Sequence, residues 1–377
     1  MAKSPVRMVA VVVVLVAAAS AAVALALSPR TDTSTGMPSG ANAEADPTMH
    51  APTGTTATTA PAVPPAAPHS EANAAVPLAA DSPWLTRIDS APLASNSQAV
   101  VANLSEQIDN YWGGVAAFNT KYYNNAFYPV MDATAGQRVG FFDCHGLGYT
   151  PDNLFDGEAY FLNVPIPRGA TPAAGSDHIM SVYNSESDQL WEFWNVRQTA
   201  AGGYEACWGG RIDHVSSSPG YFPAPYGATA TGLSISAGMI SMTEVKSGRI
   251  NHAMYFMTRQ AQPRTRLSWP AQRGDGQLDD PNVVRQGQRL RLDPSLDLSA
   301  YDLTPIGHMV AVAAQEYGFI VADTSGAVGV VGESGNRYIA QTGADPWDQI
   351  LQGQQGEALR NFPWHHLQAI QVDYGKP

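Results

Sequence analysis

The feature that most constrains the fold is a series of short, strand-like runs that begins after Gly136. Runs rich in β-branched and aromatic residues alternate with clusters of Gly, Pro, Asn and Asp, which are typical of turns. The runs are RVGFFDC, AYFLNVPI, HIMSVYN, LWEFWNVRQ, GYEACWGGRID, INHAMYFMTR and RLRLDP. Many short strands at near-regular spacing predict an all-β or β-rich α+β class, with a jelly-roll-like β-sandwich as its architecture.

One clear helix interrupts this pattern near residues 304–317. Thr304 is suited to the N-cap, Pro305 fits the first helical position, and an apolar stripe runs from there to Gly318. The next run, FIVADT, again has the composition of a strand. We therefore expect the helix to cross one face or edge of the sandwich.

The N-terminus predicts export. Lys3 and Arg7 precede an uncharged run, Met8 to Leu27, and small residues near its end offer a cleavage site, which together indicate a secretory signal within residues 1–28. An uncleaved membrane anchor is the alternative, because a run of this length also suffices to span a bilayer. Either reading predicts a secreted or cell-surface, extracytoplasmic location, with membrane contact only through this segment.

The remaining chain divides by composition into two parts. Residues 29–80 are rich in Pro, Ala, Thr and Ser and contain no aromatic residue, so they cannot bury enough apolar surface to fold and are predicted to be a disordered tether. Residues 81–377 are predicted to form a single β-sandwich domain. Oligomeric state is left open by the sequence.

Charge and motif content exclude several classes of function. Charged residues make up 14% of the chain and the net charge is −12. Binding to a phosphate backbone requires clustered cations, and no Lys- or Arg-rich run is present, so nucleic acid is not an expected partner. The sequence also lacks metal-ligand spacings and phosphate-cradling glycine loops, which predicts no bound metal and no cofactor.

Two cysteines, Cys144 and Cys207, lie in the predicted domain. In an oxidising compartment an even pair predicts a disulfide, and closing a loop of about 60 residues stabilises a fold by about 4 kcal/mol. The alternative, a catalytic thiol, requires a basic neighbour. His145 is adjacent to Cys144, but adjacent side chains on a strand point to opposite faces, which favours the disulfide.

The run LWEFWNVRQ carries the strongest chemical signal. The strand period of two places Leu190, Glu192 and Trp194 on one face. A carboxylate beside an exposed indole suits a glycan, because the ring stacks on the sugar while the acid accepts hydroxyl protons or attacks the anomeric carbon. The alternative is that the tryptophans are core residues and Glu192 pairs with Arg197 or Arg211.

Two further polar residues lie on neighbouring predicted strands. Asp177 opens the strand before Glu192, and His252 lies on a later strand, where a satisfied core histidine is the plainer reading. Convergence of these three would supply general acid/base catalysis, with Glu192 as nucleophile or base, Asp177 as partner acid and His252 orienting or transferring a proton. The predicted substrate-binding residues are Trp194, Trp208 and Arg211.

Several strings resemble a family of secreted actinobacterial proteins of uncharacterised function. They are WEFWNVR, ACWGGRI, YGATATGL, GRINHAM, WPAQR, RLRLDPSLDL, AAQEYGFIVAD, FPWHHLQ and DYGKP, and the resemblance covers nearly all of Trp84 to Pro377. A wider set of exported bacterial proteins is similar over Asp177 to Asp323 alone. That resemblance implies export and points to a set of polar positions: Asp177, Glu192, Gly232, Glu244, His252 and Asp323. His178 departs from the expected pattern.

The leading hypothesis is an exported, cell-envelope-associated β-sandwich protein that binds an extracellular or cell-wall polysaccharide. Whether it cleaves that polysaccharide stays open; as an enzyme it would be a glycoside hydrolase or polysaccharide lyase. A non-catalytic envelope module is the alternative from a different class. A carboxylate-dependent peptidase is a further alternative.

Overall fold

A computed structural model of the chain describes residues 75–377, apart from 132–134, 147, 149–153 and 155–156. The predicted signal or anchor, and residues 29–74 of the predicted tether, lie outside the described residues. Val76 and Leu78, near the end of the segment predicted to be tether, are buried. Within the described part, no helix has the length and apolar character needed to cross a bilayer.

The described residues form thirteen strands and six α-helices. The strands are β1 (Ala117–Asn119), β2 (Ala126–Val130), β3 (Val139–Phe141), β4 (Met180–Asn184), β5 (Gln189–Trp194), β6 (Arg197–Gln198), β7 (Tyr204–Ala206), β8 (Trp208–Asp213), β9 (Met254–Thr258), β10 (Arg289–Leu292), β11 (Phe319–Thr324), β12 (Gly329–Val331) and β13 (Leu367–Ala369). The helices are α1 (Ser97–Asp109), α2 (Ile235–Gly238), α3 (Met242–Ser247), α4 (Pro305–Glu316), α5 (Asn336–Thr342) and α6 (Pro346–Leu351).

The strands assemble into three mixed sheets. A six-stranded sheet has the order β1-β12-β9-β11-β10-β13, a four-stranded sheet the order β2-β4-β5-β8, and a three-stranded sheet the order β3-β7-β6. The predicted β-rich α+β class is confirmed. The jelly-roll order is not confirmed, because jelly rolls pair their strands antiparallel, whereas β1 with β12, β9 with β11, β2 with β4 and β3 with β7 are parallel pairs.

Helix α4 forms where the sequence predicts it. The Thr304 side chain accepts a hydrogen bond from the Gly307 N–H at 2.9 Å, and Pro305 occupies the first turn, where its missing N–H costs nothing. The helix connects β10 to its antiparallel neighbour β11. Its buried side chains share an apolar cluster with α1 and with one face of the six-stranded sheet.

Apolar side chains pack in two further layers that position the candidate site. Leu190 of β5 belongs to the same cluster as Tyr255 of β9 and Ile320 of β11, so this cluster lies between the four-stranded and six-stranded sheets. Trp191 and Phe193, on the opposite face of β5, belong to a cluster shared with the three-stranded sheet. Both faces of β5 are therefore covered, including the face that carries Glu192.

Candidate functional site

Glu192 lies in the protein interior and is 0% exposed. Its carboxylate accepts hydrogen bonds from the Ser234 hydroxyl at 2.7 Å, the Ser236 N–H at 2.9 Å and the Ile235 N–H at 3.2 Å. These donors form the first turn of α2, where free N–H groups favour a negative charge. Burial raises the pKa of Glu192, against the effect of these hydrogen bonds. The carboxylate thus joins β5 to α2 and is out of reach of a substrate in this conformation.

A polar network continues from this carboxylate through the sheet. Asn125 donates from Nδ2 to the Ser236 hydroxyl at 3.1 Å and accepts from the Ser181 hydroxyl at 2.8 Å. Ser181 is the cross-strand neighbour of Glu192. The buried polar groups on this face of the four-stranded sheet are therefore partnered, as buried polar groups must be.

The two arginines proposed as partners of Glu192 bind elsewhere. Arg197 donates to Glu205 at 2.6 Å, and Arg211 donates to Asp213 at 2.8 Å. The Arg211 guanidinium also lies over the Tyr160 ring, 4.3 Å from its centroid. Arg211 stands opposite Trp191 in the sheet register, on the other face of the sheet from Glu192.

His252 is also fully buried, at 0% exposed, and pairs with a carboxylate. Its Nε2 lies 2.9 Å from Glu244 Oε1, and its Nδ1 lies 2.8 Å from the Ala253 carbonyl oxygen. Burial acts to lower the pKa of His252, but the Glu244 charge and these contacts outweigh it and raise that pKa. Both ring nitrogens therefore lie near acceptor oxygens, an arrangement that favours the protonated ring. Glu244 in turn completes a capping box with Ser241 at α3. The buried Glu244–His252 pair therefore stabilises the fold around α3 rather than facing a substrate.

Asp177 and Trp194 are the predicted site residues that the structure brings together. The Trp194 indole N–H donates to Asp177 Oδ1 at 3.4 Å, and both side chains are half-buried. The Asp177 carbonyl accepts from the Asn195 N–H at 2.7 Å, which ties the start of β4 to the end of β5. Burial raises the pKa of Asp177, against the effects of Trp194 and His178.

Asp323, one of the positions implied by the resemblance, is close enough to Asp177 for their charges to interact. Its Oδ2 accepts a hydrogen bond from the Tyr255 hydroxyl at 3.0 Å. The register between β11 and β9 shifts between Val321 and Asp323, and such a bulge changes the direction of the following side chains. Burial, and then the charges of Asp275 and Asp177, raise the pKa of Asp323 well above its usual range. We call Asp177, Asp275, Asp323, Tyr255 and Trp194 the aspartate cluster.

Asp275 enters the aspartate cluster from a loop. Its Oδ2 accepts from the Thr324 hydroxyl at 2.6 Å and its Oδ1 from Gln286 Nε2 at 2.5 Å. Asp275 and Tyr255 were missed by the sequence reasoning. Asp275 lies between two glycines in a long irregular stretch, and Tyr255 reads as an apolar residue of its strand. Only the packing of β9 against β11 reveals their position.

Arg273 holds the loop that borders the aspartate cluster. Its guanidinium donates to four backbone carbonyls: Pro225, Gly227 at 3.0 Å, Thr229 at 2.7 Å and Ala230 at 3.2 Å. Burial lowers the pKa of Arg273 to about 10, although Asp323 and Tyr255 act in the opposite direction. Arg273 thus places a positive charge near Asp323, while its N–H donors are bound to the carbonyls of the loop.

Trp208, predicted to be a sugar platform, is buried at 9% exposure and donates its indole N–H to the Pro225 carbonyl at 3.0 Å. It stands opposite Trp194 in the sheet. At Gly210 a β-carbon would lie 2.6 Å from a Phe222 ring atom and 2.7 Å from the Gly227 nitrogen. The absence of a side chain at Gly210 therefore allows the backbone at Gly227 to pack closely against β8.

The disulfide between Cys144 and Cys207 is confirmed. It brings an exposed histidine to the site: His145 Nε2 lies 3.9 Å from Cys207 Sγ, and the His145 ring stacks on Trp194 with centroids 5.9 Å apart. The sequence reasoning placed His145 on the far side of a strand. In the structure it follows the end of β3 and lies in a turn, so that alternation does not apply.

A second aromatic surface lies at a depression of about 410 Å³. Its lining includes Tyr221, Trp269, Gln272, Asp373 and Lys376. The Gln272 N–H donates to the Thr231 carbonyl at 2.9 Å, so this depression borders the same loop region as the aspartate cluster.

No family model matches the chain, and neither a curated protein nor a solved structure is similar to it. The resemblance to secreted actinobacterial proteins therefore stays a prediction. Of the positions it implied, Glu192 is bound to α2 and the Glu244–His252 pair is buried, whereas the charge of Asp177 acts on Asp323 within the aspartate cluster. A function has to be proposed from this geometry.

Proposed function

We propose that this chain is an exported, envelope-associated protein that binds an extracellular polysaccharide at the aspartate cluster. The observation that carries the proposal is the half-buried Trp194 ring, whose N–H is bound to the Asp177 carboxylate. An indole face supplies apolar stacking for a sugar ring, and an adjacent carboxylate accepts its hydroxyl protons. We also propose a sandwich arrangement for the six-stranded and four-stranded sheets, which share one apolar cluster.

The burial of Glu192 and His252 supports binding without turnover at those residues. Both are 0% exposed and both have interior partners. This is the environment expected of a non-catalytic envelope module. Retention of a polysaccharide by the protein does not depend on either side chain.

Cleavage of the polysaccharide is a second candidate function, favoured by one observation. Asp177 and Asp323 both have raised pKa values, and the charge of Asp177 contributes to the rise at Asp323. Hydrolysis of a glycosidic bond uses one protonated carboxyl to protonate the leaving oxygen and one carboxylate as base or nucleophile. Asp323, whose pKa is raised well above its usual range, fits the acid, and Asp177 fits the base.

The binding proposal is tested by affinity electrophoresis of the protein through gels that contain cell-wall or plant polysaccharides. We expect at least one polysaccharide to retard the wild type. We expect Trp194→Ala to weaken that retardation about tenfold, since a lost aromatic contact costs about 1 kcal/mol or slightly more. Trp269→Ala is the matched control at the second aromatic surface and should migrate as the wild type does.

Three outcomes reject the binding proposal, the last two of which concern the tryptophan variants. The first is that no polysaccharide in the panel retards the wild type. The second is that folded Trp194→Ala is retarded as strongly as the wild type. The third is that Trp269→Ala alone abolishes retardation, which would move binding to the depression beside Gln272.

The cleavage candidate is tested by reducing-sugar release and by the ultraviolet absorbance of unsaturated products over the same panel. We expect Asp177→Asn and Asp323→Asn each to abolish turnover, while the exposed control Asp279→Asn retains it. A panel that stays uncut rejects cleavage. Turnover that survives both substitutions but is lost in folded Glu192→Gln would return the catalytic role to Glu192.

A further inference from the structure

The disulfide and its neighbouring histidine form a compact group of possible metal-binding atoms. The two sulfurs of Cys144 and Cys207 and a ring nitrogen of His145 all lie within 4.8 Å of one another. The Nε2 to Cys207 Sγ distance is 3.9 Å. Two ligands on one metal, with bonds of about 2.3 Å to sulfur and about 2.0 Å to nitrogen, lie about 3.5 to 3.7 Å apart. The imidazole is therefore already near ligand spacing from one sulfur.

We propose that reduction of the Cys144–Cys207 disulfide turns this group into a binding site for one cuprous ion. Thiolate sulfur is a soft ligand that selects Cu⁺, and imidazole is a common copper ligand. Structural zinc sites take four ligands. Within the described ranges no fourth His, Cys, Asp or Glu atom joins the group, so the donor set suits a three-coordinate ion.

The electron and proton balance of this conversion is simple. A dithiol or phosphine reductant supplies two electrons, the Sγ–Sγ bond breaks, and two protons from solvent complete the two thiols, while the reductant is itself oxidised. Cu⁺ then displaces both thiol protons to solvent, because the thiolate is the form that binds metal. Neither step changes the oxidation state of copper.

The surrounding structure lets the sulfurs separate without dismantling the sheets. Cys207 lies between β7 and β8, and its N–H donates to the Trp194 carbonyl at 3.1 Å, so this side of the site is held by paired strands. Cys144 and His145 lie in a turn after β3, and His145 is exposed. Ligand spacing between the sulfurs requires this turn to move away from Cys207, and the exposed His145 ring gives the ion its entry path.

The experiment is an anaerobic titration of the full chain with a cuprous bicinchoninate complex, which loses its colour when the protein takes the metal. Before titration, one sample is reduced with a phosphine that is then removed, and one is left oxidised. We expect the reduced wild type to take one Cu⁺ per chain and the oxidised protein none. We expect His145→Gln to bind at least tenfold more weakly, and Cys144→Ser/Cys207→Ser not to bind.

Two controls separate a built site from loose thiol chemistry. His308→Gln removes another exposed histidine, on α4, and should bind as the wild type does. Near-ultraviolet circular dichroism reports whether the reduced chain stays folded, and an unfolded chain would show no difference between His145→Gln and wild type. The proposal is overturned if His145→Gln and wild type bind Cu⁺ equally well, or if the oxidised protein binds Cu⁺ as tightly as the reduced protein. It is also overturned if the reduced protein retains Zn²⁺ while failing to compete for Cu⁺.

Discussion

Replacing Glu192 by alanine removes the acceptor for three buried donors. The Ser234 hydroxyl can turn toward another acceptor, but the N–H groups of Ile235 and Ser236 cannot, because they belong to the first turn of α2. Each buried donor left without a partner costs about 1–3 kcal/mol. We therefore expect Glu192→Ala to lower the free energy of unfolding by about 3–5 kcal/mol.

Glu192→Gln separates the loss of charge from the loss of shape. The amide keeps one oxygen that can accept a hydrogen bond but turns an NH₂ group toward a donor, so we expect a loss of about 1–2 kcal/mol. The exposed control Glu186→Ala should change stability by less than about 0.5 kcal/mol. Guanidinium unfolding followed by tryptophan fluorescence, with the disulfide intact, measures all three variants.

The structural role of Glu192 also predicts what these variants retain. Folded Glu192→Gln should bind polysaccharide as the wild type does, because the carboxylate does not reach solvent. The reasoning is refuted if Glu192→Ala unfolds within about 1 kcal/mol of Glu186→Ala. It is equally refuted if Glu192→Gln keeps full stability and loses binding.

Three further predictions rest on other contacts. The pKa of His252 is raised in the folded protein. The Glu244–His252 pair therefore contributes fully to stability below the imidazole pKa of the unfolded chain, about 6.5. This contribution is lost as the pH rises through the higher pKa of the folded protein. The stability difference between wild type and His252→Gln should accordingly shrink between pH 6 and 9, and a difference that grows would contradict the assignment. Gly210→Ala should cost about 2 kcal/mol or more in thermal unfolding, because its β-carbon would stand 2.6 Å from Phe222; a neutral result would show that the loop yields. Reduction of the disulfide, which spans 63 residues, should lower the free energy of unfolding by about 4 kcal/mol, as measured by denaturation with and without reductant, and an unchanged midpoint would argue against that role.

Local chemistry in the sequence predicted several elements correctly. The cap at Thr304 and the proline after it define the start of α4 without help from the rest of the fold. The period of two on β5 correctly separates Leu190 from Trp191, because side-chain alternation is a property of the strand itself. The pairing of the two cysteines was predicted from their even number and the expected oxidising compartment, and the disulfide is present.

What covers each face could not be predicted from the same pattern. Side-chain alternation places Glu192 and Trp194 on the same face of β5. Glu192 nevertheless binds α2, which lies more than forty positions later in the chain. Trp194 lies at the end of the strand, where its side chain is half-buried. The parallel pairing of β9 with β11, which brings Tyr255 to Asp323, joins segments that are far apart in sequence. Such contacts depend on sheet order, which short-range patterns do not encode.

Arg273 contacts its loop only through main-chain carbonyls. Backbone carbonyls are present whichever side chain a residue carries, so the loop can exchange residues without losing a guanidinium contact, provided that the new side chains still pack. Arg273 has no such latitude, since lysine offers a single ammonium in place of a planar fork with five donors. Sequence variation around the aspartate cluster should therefore fall on the loop and spare the one residue that closes it.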